Sequence, residues 1–342
     1  MKILIIRISS LGDVILSTYF IRLLRNEFPD AQIDFLVSNE FSIVFKYNPH
    51  INNLIIYDKT KPFFHHIIET LSINNPRHYD VIIDLQNNPR SWIYSFGKGT
   101  RIFRFNKRRV HKFKLVYLKK RNVKSRPIPI LYAETFPDLL KFDDNLGLEI
   151  WTSKDDKIYV PHTKQFTDLD LSKVGIAPGA KHFTKRLPPR KFVDLIRLLQ
   201  KNFNSEIILF GGDEDFGICN EIIDRTEGVE NLAGKTDVIE TAEIIDSMGL
   251  VISNDSAVVH IASARKVPVV QIFGSTVPEF GFIPFRTPFA IVENNSIDCR
   301  PCTHFGKSRC PKQHFKCMED ITPEMILGAI NRIGFIEFNM NR

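Results

Sequence analysis

Short apolar runs alternate with longer amphipathic ones along this chain of 342 residues, and the alternation breaks once and then resumes. Buried strands read as continuous Val/Ile/Leu-rich runs, and crossover helices as apolar positions at helical spacing. The pattern therefore calls for parallel sheets, not a sandwich or a bundle. It predicts strands over 2–6, 32–37, 53–56 and 81–85, and then over 174–177, 206–210, 250–253, 267–273 and 289–292. Helices are predicted over 13–27, 189–202, 215–225, 238–247, 256–265 and 322–333, the last with Thr322 as N-cap and Pro323 at its first position. The break near 159–173 is polar and carries Pro161. The expected architecture is α/β: two doubly wound domains, 1–160 and 174–320, facing across a cleft, with 321–342 as a C-terminal helix and tail.

Open parallel sheets bind ligands at the carboxyl ends of their strands, so the turns there are the places to look for chemistry. The first is Arg7-Ile8-Ser9-Ser10-Leu11-Gly12-Asp13. Gly12 permits a tight turn or the close approach of a ligand. Asp13 opens the following helix, either as a capping residue or as a general base facing the cleft. A single glycine makes neither a dinucleotide fingerprint nor a P-loop. After the strand ending at Ala177, Pro178-Gly179-Ala180 turns the chain toward Lys181, Lys185 and Arg186. These are solvated cations or a phosphate site. Gly211-Gly212 lead to Asp213, Glu214 and Asp215, acids that either complement a helix dipole or hold ribose hydroxyls. Ser253-Asn254-Asp255-Ser256-Ala257 ends a strand and begins a helix, whose free N–H groups suit a diphosphate. His260 lies on that helix, where a lone histidine is ordinarily structural. Phe273-Gly274-Ser275-Thr276 is a second small-residue turn, and two such turns side by side suggest a nucleotide-diphosphate pocket.

As an ordered set, RISSLGDVILST, APGA…TKR, FGGDED, LAGKTD, NDSAVVH and FGST resemble glycosyltransferase family 9, the bacterial lipopolysaccharide heptosyltransferases and their relatives. The resemblance covers nearly the whole chain. It implies a GT-B fold of two Rossmann-like domains. It implies inverting, metal-independent transfer from ADP-L-glycero-D-manno-heptose to a lipid-linked saccharide, with no cofactor required for catalysis. Asp13 then matches the catalytic base. Lys185 matches the donor-phosphate lysine, although Leu187 stands where the family has an aromatic residue. Asp255, Ser256 and His260 match an Asp-(Ser/Thr)-Gly-x-x-His motif, with Ala257 in place of its glycine. Glu214 or Asp215 matches a ribose contact, Gly274 falls in the donor turn, and Ser10 and Gly12 stand on the acceptor side.

Charge adds a further expectation. Net charge is +7, and residues 101–126 hold twelve Lys or Arg and no Asp or Glu. Such a block is either a solvated basic loop or a surface for a polyanion. With the resemblance, the block, including Lys107, Arg108 and Arg109, is expected to meet an anionic inner-membrane leaflet from the acceptor-side domain. No apolar stretch reaches the ~20 residues of a membrane span, and the N-terminal apolar run is too short for a signal peptide. A cytoplasmic protein, peripheral at the inner membrane, is expected. The rival readings are a transferase on the same scaffold with another sugar nucleotide or acceptor, and a nucleic-acid-binding module. The block carries no recognisable RNA or DNA motif, and its aromatics Phe103, Phe105, Phe113 and Tyr117 are assigned to the core. No nucleic-acid partner is expected.

Cys299, Cys302, Cys310 and Cys317 cluster, with His304 and His314 between them. In a cytoplasmic chain this favours structural zinc or reduced thiols over disulfides. Cys219 is expected to be a buried apolar residue.

Overall fold

A computed structural model gives the fold and describes residues 1–62, 79–95, 99–121, 126–139, 143, 145–155 and 169–334. Most of the expected interdomain break, part of the basic block and the end of the C-terminal tail lie outside the described residues. The first run of elements is β1 (Lys2–Ile6), α1 (Leu11–Leu16), α2 (Thr18–Glu27), β2 (Gln32–Ser38), β3 (Asn53–Tyr57), β4 (Tyr79–Asp84), α3 (Pro89–Ser95), β5 (Gly99–Arg104), α4 (Arg109–Leu118) and α5 (Ile128–Ala133). The second is β6 (Lys173–Ala177), α6 (Pro189–Phe203), β7 (Glu206–Leu209), α7 (Phe216–Ile223), β8 (Val229–Asn231), α8 (Val238–Ile245), β9 (Leu250–Asn254), α9 (Val258–Ala264), β10 (Val269–Phe273), β11 (Phe289–Glu293), α10 (Lys316–Glu319) and α11 (Pro323–Gly334).

The strands form two sheets, ordered β3-β2-β1-β4-β5 and β11-β10-β9-β6-β7-β8. Every described pairing is parallel. In both sheets the central strands are mostly apolar and buried, as parallel sheets packed between helices require. In the second sheet, Val174, Ile176, Leu250, Ile252, Val270 and Ile272 pack with Phe192, Leu195 and Leu199 of α6 and Ile326 and Ile330 of α11. The strand order reverses between β1 and β4 in one sheet and between β6 and β9 in the other. Those reversals open the crevices where ligands of such sheets bind.

The chain divides into two compact units, Met1–Arg108 with Ile128–Tyr159, and Arg109–Pro127 with Val160–Arg342. This division departs from the expected one. Residues 109–121 belong with the second unit, so the basic block is not a single piece of the first. The reason is local packing. Leu115 of α4 is buried against Val277 and Phe280. Lys119 Nζ donates to the carbonyl oxygens of Pro301 at 2.6 Å and Cys299 at 3.1 Å. Arg121 binds Glu279, Glu293 and Asn295. Lys119 is therefore committed within the unit and is not a free contact for a membrane. Among the described residues no helix is long and apolar enough to cross a membrane.

The helix expected over 13–27 is two helices. Ser17 and Thr18 donate their hydroxyls to Val14 O and Ile15 O, at 2.6 and 2.7 Å. Such back-bonding competes with the helical ladder and marks the break between α1 and α2.

Candidate active site

At the β1/β4 reversal the turn after β1 is held from the neighbouring strand. Gln86 Oε1 accepts from Ile8 N at 3.0 Å and Ser9 N at 3.2 Å, and Arg7 donates to Leu85 O at 2.7 Å. Asp13 is the third residue of α1 and Ser10 is the cap, so Asp13 does not itself occupy the N-cap. Its Oδ1 accepts from Arg7 at 2.7 Å and from the Tyr132 hydroxyl at 3.0 Å. Its Oδ2 accepts from the Ser10 hydroxyl at 3.0 Å. The Asp13 side chain keeps 17% of its surface exposed, while Arg7 and Tyr132 lie deeper.

Burial by itself would raise the Asp13 pKa, but the Arg7 guanidinium, joined by the Ser10 and Tyr132 hydroxyls, holds it below the usual carboxylate value. Burial and the neighbouring carboxylate push the Tyr132 phenol well above its ordinary range. The result is an ionised carboxylate at neutral pH with one oxygen anchored on a buried cation and a neutral phenol. Among the described residues the other oxygen bonds the cap hydroxyl and, weakly, the cap N–H at 3.4 Å. Arg7 and Tyr132 received no role from the sequence. Arg7 had a signal, a charge ending an apolar strand. Tyr132 had none, because it reaches Asp13 across 119 positions of chain.

At the β6/β9 reversal, four turns of the second unit meet. Asn254 ties two of them, its side chain accepting from Leu187 N at 3.2 Å and donating to Pro178 O at 2.7 Å. Lys185 Nζ lies 2.9 Å from Asp255 Oδ2, which also accepts from Thr276 at 2.8 Å. Thr184 bonds Ser275 at 2.8 Å and Lys307 N at 2.7 Å. Lys185, Asp255 and the turn after β10 are thus brought together as the motifs suggested. Ser256 bonds Ser253 at 3.0 Å, and α9 starts two residues later than expected, at Val258, with Ala257 as its cap. His260 is buried.

Gly274 has a packing reason for its lack of a side chain. A Cβ there would lie 2.5 Å from Met318 and 2.7 Å from Thr184 O. Its carbonyl oxygen accepts from Arg300, which is 2% exposed and also donates to the carbonyls of Phe273, Thr276 and Asn294 and to Glu293. Arg300 thus pins the turn after β10 from behind.

The acids after β7 differ from one another. Glu214 is exposed. Asp215 lies over Gly179 and Gly211, where a Cβ on either glycine would strike its side chain. Burial raises its pKa, and its Oδ1 is buried with no hydrogen-bond partner.

Of the two readings of the cysteine cluster, structural zinc and reduced thiols, the side-chain arrangement favours the second. Among the described residues no group of three or more His, Cys, Asp or Glu side chains is arranged to hold a metal ion. Cys299, Cys302, Cys310 and Cys317 are free thiols. Cys317 is buried, which pushes its thiol up to about 12. Cys219 is buried and apolar in its setting, as expected.

Known proteins resemble this chain in sequence and in fold. The chain is 28% identical to lipopolysaccharide heptosyltransferase 1 of Campylobacter coli over 97% of this chain and 99% of that one. It is 28% identical to lipopolysaccharide heptosyltransferase 3 of Escherichia coli K12 over 78% and 80%. With lipooligosaccharide heptosyltransferase 2 of Campylobacter jejuni it is 30% identical, but over 47% of this chain and 51% of that protein. The crystal structure of the family 9 glycosyl transferase from Veillonella parvula superposes with a TM-score of 0.76, at 21% identity over 97% of each chain. E. coli ADP-heptose LPS heptosyltransferase II gives 0.68, at 21% identity over 98% of each. The fold is the GT-B type, with two Rossmann-like α/β sheets. The model of glycosyltransferase family 9 (heptosyltransferase) matches residues 74–312, more than half of the chain, and the chain belongs to that family.

Proposed function

We propose that the chain transfers a heptose from an ADP-sugar to a lipid-anchored saccharide of the lipopolysaccharide core, with inversion and without a catalytic metal. The observation that carries this reading is the two-sided setting of Asp13. Its Oδ1 is anchored by Arg7 and Tyr132, while Oδ2 stands toward the exposed side with Ser10. The acceptor hydroxyl gives its proton to Oδ2 as its oxygen bonds the anomeric carbon. In the same displacement the bond from that carbon to the β-phosphate oxygen breaks and ADP leaves. Because Asp13 is kept ionised by Arg7, it needs no activation at neutral pH. The leaving diphosphate takes Lys185, whose partner Asp255 is displaced or shared, together with the N–H groups at the start of α9. Asp215 or Glu214 holds the ribose, and Ser10 and Gly12 border the acceptor. A protein acting on a membrane-held acceptor must reach the lipid surface, so peripheral contact with an anionic leaflet is part of the reading.

The donor half is tested by calorimetry. Lys185→Ala is expected to weaken ADP binding roughly tenfold or more, the scale of a lost charge-assisted hydrogen bond, and to leave adenosine binding unchanged. Equal ADP affinity in the two proteins would remove Lys185 from the site.

The acid half has a pH signature. With Arg7 replaced by Met, the raising effect of burial on Asp13 loses its main opponent, so its pKa should rise. The acid limb of kcat should move to higher pH, the direction expected when an adjacent opposite charge is removed. Tyr132→Phe should move it the same way by less. A limb unmoved in Arg7→Met would mean that the limb belongs to another group.

A further inference from the structure

Helix α4 (Arg109–Leu118) is built inside out. Its inner contact is Leu115, fully buried against Val277 and Phe280, with Val116 partly buried beside it. A surface helix with that inner stripe should be polar on the opposite face. Here the opposite face carries Val110, Phe113 and Tyr117, spaced i, i+3 and i+7, with Leu118 at its edge. They are 70%, 53%, 70% and 51% exposed. Phe113 and Tyr117 lie one turn apart with ring centroids at 4.8 Å, which makes one continuous aromatic surface. This overturns the expectation that these two aromatics belong to the core. Contiguous exposed apolar surface of this kind marks a docking site.

The surroundings say what docks. Arg109, Lys114 and Lys120 are exposed around the stripe, and residues 101–126 contain no acid at all. An aromatic stripe flanked along its own segment by cations and no acids matches the chemistry of an anionic bilayer surface. There the rings sit at the level of the headgroups and the cations meet lipid phosphates. We infer that α4 is a membrane-interface helix, which seats its Val110/Phe113/Tyr117 face in an anionic leaflet. The inference rests on the reading of a lipid-anchored acceptor and names the surface that serves it. It also shifts the expected contact: Lys119 and Arg121 are occupied within the unit, so the aromatic face, with Arg109, Lys114 and Lys120 around it, makes the attachment.

The test is co-sedimentation of the full chain with vesicles of 3:1 phosphatidylethanolamine and phosphatidylglycerol, and with phosphatidylcholine vesicles, at low and moderate salt. The wild type is expected to bind the anionic vesicles at least tenfold more tightly than the neutral ones. Phe113→Ser with Tyr117→Ser should weaken that binding at least tenfold, with the thermal midpoint and ADP affinity unchanged. Phe113→Trp should show a blue-shifted emission when anionic vesicles are added. Unaltered vesicle binding by the double serine variant would overturn the assignment, as would a wild type that ignores anionic vesicles at low salt. Two further results would also overturn it. One is a wild-type dimer that becomes monomeric in the double variant. The other is tighter binding to single-stranded RNA than to vesicles, which would make α4 a nucleic-acid surface. The two readings fail separately. Vesicle binding without heptosyl transfer upholds the helix and sinks the transferase reading. Transfer to a soluble core saccharide without vesicle binding does the reverse.

Discussion

Asp13→Asn is expected to lower kcat by roughly 10²–10⁴-fold while ADP binding stays at the wild-type level. Asparagine has the same shape, and its Oδ1 can still accept from Arg7 and Tyr132. What it lacks is the charge and the basic oxygen that takes the acceptor's proton. Removing the charge leaves the buried Arg7 guanidinium without its counter-ion, so some loss of stability accompanies the loss of rate. The ADP measurement separates the two effects, because the residues proposed to hold the donor belong to the other compact unit. Near-normal turnover in a folded Asn variant would leave Asp13 as a partner of Ser10 in the cap and nothing more.

Arg300→Met is expected to be the most destabilising single change in the second unit. The guanidinium is almost wholly buried and bonds four carbonyl oxygens and Glu293. Methionine fills the space but leaves those acceptors without a donor in a dry site. The cost is about 3–5 kcal/mol, the scale for removing one member of a buried charged pair. In a unit of this size that lowers the melting midpoint by roughly 6–20 °C. Arg300→Lys should recover only part of it, since one ammonium cannot reproduce a planar fork with five donors. A melting curve for Arg300→Met that overlays the wild type would contradict this role.

The strand pattern was readable because the central strands are covered on both faces and so spell continuous apolar runs. The two strands it did not reveal, β5 and β8, are both sheet edges. β5 is Gly-Thr-Arg-Ile-Phe-Arg, and its cations made it look like the start of a charged loop. β8 has three residues, too few for any periodicity. The turns after β1, β6, β9 and β10 were legible because glycine, serine and acids gather where strands end. The contacts that complete them were not. Tyr132 on Asp13, and Arg300 behind Gly274, arrive from distant stretches with no local pattern to announce them. The inverted polarity of α4 was hidden for another reason. Its apolar residues are spread around the helix, and only packing shows which side Leu115 has taken.

The central claim is inverting transfer from an ADP-heptose by this chain. It is tested most directly by incubating the purified protein with ADP-heptose and a heptose-deficient lipopolysaccharide core in detergent, and reading the anomeric signals of the product by NMR. A new heptosidic bond is expected whose anomeric configuration is opposite to that of the donor, formed by the wild type and not by Asp13→Asn within the same time. Retained configuration, or equal product from the two proteins, would contradict it.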